Sequence, residues 1–123
     1  MATESGDLHR IGGGSIENLR LKPREMKLHP PGISILKAPT AGHAAVQMKE
    51  VFPQAKALHE HARIIGTTSL DRIRSAGFDV IAKPTRLLAN HHRIIHLEGV
   101  SGFNDDNLKR LSEVFTNTPG HEL

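Results

Sequence analysis

The pattern of apolar and polar residues predicts an α+β domain, a small, mainly antiparallel sheet packed with three or more helices and preceded by a flexible leader. Three observations carry this. The 123 residues suffice for one core and are short for two domains. Helical and strand signatures run in the order strand, one or two helices, helix, strand, long loop, strand, helix. The link between residues 81 and 93 is too short for a crossover helix, so the strands it joins are antiparallel. An alternating arrangement with Ile33–Leu36 and Arg63–Ile65 as parallel strands stays open.

Residues 1–15 read as the leader, because Gly12-Gly13-Gly14 is costly in backbone entropy to order. Residues 16–40 read as an irregular, proline-rich arm. Pro23, Pro30, Pro31 and Pro39 punctuate it, Pro30-Pro31-Gly32 signals a turn, and Ile33-Ser34-Ile35-Leu36 alternates as a short strand.

Residues 41–116 read as the folded core. Ala45, Met48, Val51 and Phe52 recur at helical spacing, and Pro53 stops that helix. Ala55 to Ala62 is a second helical stretch, with Leu58 inward and His59 and His61 toward solvent. Ile64-Ile65-Gly66 is either a short strand or that helix's end. Thr68 or Ser69 caps a helix with Leu70 and Ile73 inward and Gly77 as its left-handed stop. Phe78 to Ile81 is a strand, Lys83 to Ala89 a connection broken by Pro84, and Arg93 to Leu97 the next strand. After a turn at Glu98-Gly99, Asn104 or Asp105 caps a last helix striped by Leu108, Leu111, Val114 and Phe115. Residues 117–123 read as a fraying tail.

Composition narrows the function classes. With four Phe and no Trp or Tyr, packing rests on aliphatic residues, with Phe52, Phe78, Phe103 and Phe115 as the large anchors. The net charge of +3 is compatible with an anionic partner, but the basic residues form no block that would act as a nucleic-acid arm. Absence of cysteine excludes disulfides, thiolate catalysis and iron–sulfur clusters, and fits a reducing, cytoplasmic setting. No apolar h-region or membrane-length run is present, so no membrane partner is expected.

The chemistry concentrates in Asn90-His91-His92-Arg93-Ile94-Ile95-His96. On a strand, His92, Ile94 and His96 share one face, and His92 and His96 become candidates for acid–base catalysis near neutral pH. Four residues along a strand span about 13 Å. One metal ion cannot bridge that distance, and neither metal nor cofactor is expected. Gly12-Gly13-Gly14-Ser15 lacks the Lys-Ser/Thr ending of a phosphate loop, and no Gly-x-Ser-x-Gly elbow occurs. Thr67-Thr68-Ser69 and Asp105-Asp106 are explained by capping and the helix dipole.

Ser75-Ala76-Gly77-Phe78 resembles the helix end of HicA-type messenger-RNA interferases. His92-Arg93-Ile94-Ile95 resembles the strand that opens with that family's catalytic histidine, and residues 69–115 follow its helix–strand–strand–helix order. Asn90-His91 stands where the family has Gly-Ser, and the first 60 residues have no counterpart there. The resemblance implies a double-stranded-RNA-binding-like fold and RNA cleavage through the 2′-hydroxyl. His92 would then act in acid–base chemistry, and Arg93, Lys83 and Arg86 would hold phosphates. A toxin of this kind implies RNA as substrate and a cognate inhibitor as partner. The alternative is a non-catalytic protein-interaction domain whose proline-rich arm wraps a partner. A third reading, a toxin that modifies a host factor with NAD, has no recognisable nicotinamide motif behind it.

Overall fold

The computed structural model describes residues 7–120 except Ala62; the side chains of Leu58 and His61 also lie outside the described residues. The elements are β1 (Leu8–Ile11), α1 (Ile16–Leu19), α2 (Pro23–Met26), β2 (Ile33–Lys37), α3 (Ala41–Val51), α4 (Lys56–His61), β3 (Ile64–Thr68), α5 (Leu70–Ser75), β4 (Asp79–Ala82), β5 (His91–Ile95), a 3₁₀ turn (Gly99–Gly102), α6 (Asp105–Ser112) and β6 (Thr116–Pro119). The strands form one six-stranded sheet in the order β4-β5-β2-β1-β3-β6, with every pairing antiparallel. The expected α+β class holds, and the arrangement with parallel strands does not.

Local chemistry accounts for most boundaries. Thr40 caps α3 by accepting from the His43 amide at 3.1 Å, and Phe52, at φ −124° and ψ 64°, leaves helical geometry just ahead of Pro53. Ser69 caps α5 through the Arg72 amide, and Gly77, at φ 93°, turns the chain out of that helix. Asn104 caps α6 through the Asn107 amide at 2.9 Å. In α2, Pro23 occupies the first helical position, and the Glu25 carboxylate accepts the Lys22 amide at 2.8 Å.

Each face of the sheet has its own cover. On one face Leu8, Ile33, Ile35 and Ile94 pack with Leu19 of α1, Ile73 of α5, Leu108 and Leu111 of α6, and the rings of Phe78, Phe103 and Phe115. On the other, Leu36 and Ile11 meet Ala44, Met48 and Phe52 of the α3 segment together with Leu88. The four phenylalanines therefore anchor both layers. Among the described residues no helix is long and apolar enough to cross a membrane.

Three segments depart from the sequence reading. Residues 8–11 of the expected leader form β1, an inner strand paired with both β2 and β3. The glycine run after it is ordered by hydrogen bonds: Gly12 N–H donates to Ile64 O, Gly13 N–H to Arg10 O and Gly14 N–H to the Asn117 side chain. These three contacts supply what the glycines alone lack, and they leave none of the three amides to cradle an anion. The arm of residues 16–40 holds, beside its expected strand β2, the helices α1 and α2, and residues 117–119 of the tail join Thr116 in edge strand β6 against β3. Residues 1–6 and 121–123 lie outside the described residues.

Gly66 tests this packing. A Cβ there would lie 2.7 Å from Gly14 N and 2.9 Å from Gly13 C, both backbone atoms that cannot step aside. Gly66→Ala is expected to destabilise the protein by about 1–3 kcal/mol, the usual range for overpacking. Urea unfolding at constant m-value checks this.

Candidate functional site: a cationic cleft where two strands part

β1 and β2 pair only at Leu8 with Lys37 and His9 with Leu36. Beyond that point β1 continues along β3 as far as Ile11 and Ile65, and β2 continues along β5 as far as Ile33 and Ile94. The two inner strands thus diverge within one sheet. Backbone groups at such a gap need other partners. Arg10 supplies one: its Nη1 donates to Ser34 O at 2.9 Å, while Nε and Nη2 donate to Asn18 O at 3.2 and 2.8 Å. The guanidinium is buried and lowered from its ordinary pKa by desolvation, which the nearby Glu25 carboxylate opposes, yet it stays charged.

A cavity of about 500 Å³ opens at this divergence. Its polar wall brings Arg10, Lys22 and Arg24 together with one carboxylate, Glu25; its apolar floor is formed by Ile35, Leu36, Met48, Phe52 and Leu88. Lys22 and Arg24 are exposed, Glu25 is buried, and α2 with the residue before it carries all three. Cations therefore outnumber carboxylates three to one in a partly enclosed site.

His9 and His91 complete the lining. The register places His9 opposite Leu36 and Leu36 opposite His91, so the two imidazoles flank Leu36 on one face of the sheet. His9 Nε2 donates to Ala38 O at 2.9 Å, which leaves Nδ1 to accept from the Thr67 hydroxyl at 3.0 Å. His91 Nδ1 donates to Lys83 O at 2.8 Å, and its Nε2 has no hydrogen-bond partner among the described residues. Burial lowers both imidazoles from their ordinary pKa and favours the neutral rings, although each carbonyl bond opposes the shift.

The residues singled out from the sequence fall elsewhere or at the margin. His92 sits one position along β5 and so on the opposite face, in register with Ile35 and Ala82; its Nδ1 donates to Asn90 O at 2.9 Å. His96 lies beyond the end of β5, edge-on to Phe78 with centroids 4.9 Å apart, and its Nδ1 accepts the Glu98 amide at 3.0 Å. His92 and His96 are thus held in separate surroundings. Arg93 faces away from His92, opposite Ser34, and donates to Pro30 O at 3.0 Å, while its Nε is buried without a partner among the described residues. Lys83 touches the site through its backbone carbonyl, and Arg86 is exposed in the β4–β5 loop.

Sequence reasoning passed over His9, Arg10, Lys22 and Arg24. One signal was present: Leu8-His9-Arg10-Ile11 is a short strand-length run, followed by Ser15 and Asn18 at capping spacing. No protein-family model, curated protein or solved structure matches the chain.

Arg10 holds the cleft's shape through its two carbonyl partners. Arg10→Met keeps much of the bulk but leaves Ser34 O and Asn18 O without their guanidinium donors. A loss of about 1–3 kcal/mol is expected from the part-buried Ser34 O losing its guanidinium donor. Chemical denaturation of the variant beside the parent chain measures it.

Proposed function

We propose that this domain binds a small phosphate-bearing ligand of nucleotide class in the β1–β2 cleft. The observation behind this reading is the pairing of Arg10, Lys22 and Arg24 with an apolar floor that includes Met48, Phe52 and Leu88. Guanidinium and ammonium groups favour phosphate oxygens. The thioether and the ring offer a flat base an apolar, polarizable surface. A cavity of about 500 Å³ lies in the range of small-molecule sites. NAD, the reagent of the third sequence reading, belongs to the same class, since its pyrophosphate links two nucleosides.

The test is calorimetric titration with AMP, ADP and NAD, repeated with Lys22→Glu/Arg24→Glu. Both side chains are exposed, so the double variant is expected to fold. It should bind at least about tenfold more weakly, equivalent to roughly 1.4 kcal/mol. Absence of binding by all three nucleotides would remove this reading.

RNA cleavage stands as the second reading, and the held position of the His92 ring favours it. Nδ1 donates to Asn90 O, which orients the imidazole and leaves Nε2 as the nitrogen that could meet a substrate. Purified protein incubated with single-stranded and duplex RNA should then cut it, and His92→Ala should reduce the rate by about two orders of magnitude or more. Undiminished cutting by a folded His92→Ala protein would sink the assignment to His92. No cutting by the parent chain would sink the ribonuclease itself.

A further inference from the structure

We propose that the cleft takes up its anionic ligand together with a proton, carried on His91 Nε2. This rests on the nucleotide-class reading of the cleft and adds a coupling to pH. The argument starts from the ring's position. His91 Nδ1 is pinned to Lys83 O, so the imidazole has a fixed orientation and a single nitrogen left to titrate. The ring also lines the cavity that holds Arg10, Lys22 and Arg24.

The charged groups around the ring come from every side. On its own strand, Arg93 and His92 both oppose a charge on His91. Across β2, Leu36 separates it from His9 of β1, and Arg10 lies beyond. Lys22, Arg24 and Glu25 line the cavity from the α2 segment, whereas Met48, Phe52 and Leu88 bring no charge from the α3 side and the β4–β5 loop. Lys83 contributes its carbonyl, and Gln47 and Asn90 bond to each other through neutral amides. Burial is the largest cost of charging the ring, and Arg93 and His92 add to it. A bound phosphate reverses the local sign. It brings negative charge into a partly desolvated space, where an imidazolium becomes a donor and a counter-charge.

Histidine side-chain NMR resolves this, with His91→Gln assigning the His91 resonance by its disappearance. The protein is titrated with acid and base, alone and saturated with ADP, and amide shifts of Lys22, Arg24 and Leu88 report occupancy independently. ADP is expected to raise the His91 titration midpoint by about one pH unit, as for a group gaining one close opposite charge. An unchanged midpoint, with the cleft amides still shifting on ADP addition, would overturn proton coupling and leave the ligand reading standing. No amide shift at any pH would overturn both.

Discussion

Four residues, Leu8 to Ile11, bind the architecture together, the first three of them buried and the last half-buried, with side chains on both faces of the sheet. β1 lies between β2 and β3, so its backbone must satisfy two neighbours at once. It succeeds along β3 and runs out of partner along β2 after His9. The polar side chains on this inner strand follow from that mismatch. His9 is fully buried because its ring bonds Ala38 O and Thr67, and Arg10 is buried because its guanidinium replaces the missing strand partner at Ser34. Buried polar groups persist when they are hydrogen-bonded in this way. The same guanidinium reaches Asn18 O, so the turn after β1, helix α1 and strand β2 are fixed to one group. The cleft is the geometric remainder of this arrangement.

Much of the fold was legible in short-range chemistry. The caps at Ser69 and Asn104, the stop at Gly77, the break before Pro53 and the antiparallel β4–β5 pair all follow from residues near in sequence. The stripe Leu108 and Leu111 lies buried as its spacing demands. What escaped depends on distant partners. Nothing within Leu8-His9-Arg10-Ile11 alternates, and its strand identity comes from residues 36–37 and 65–68. The glycine run looks disordered until Ile64 O and Asn117 supply acceptors from far along the chain.

The candidate site was legible in residue type and not in parity. The histidine cluster was read onto a strand, and His91 and His92 lie on β5 with His96 just past its end, but a strand offers two faces. Which face opens onto a cavity depends on where β1 and β2 part, and no local pattern records that. His91 therefore shares a face with Leu36 and His9, while its neighbour His92 shares one with Ile35. The cationic wall was hidden for a related reason. Lys22 and Arg24 look like ordinary charges in a proline-rich arm until α2 folds against the cleft.

The strand order has a further bearing on how the chain reaches this state. Only β4 and β5 meet as near neighbours in sequence, through Asp79 with Ile95 and Ala82 with His92. β1 meets β2 across a moderate span, Leu8 with Lys37, whereas the remaining three pairings join Leu8 to Thr68, Ile33 to Ile94 and Ile64 to Pro119, so each of these closes a long loop before it is rewarded. A sheet built this way has high contact order, and its folding is slow relative to helical proteins of equal length. Until β3 and β2 are both in place, the edges of β1 stay open to pairing with other chains. The central strand that organises the native protein is thus also a segment exposed to misassembly while the protein folds.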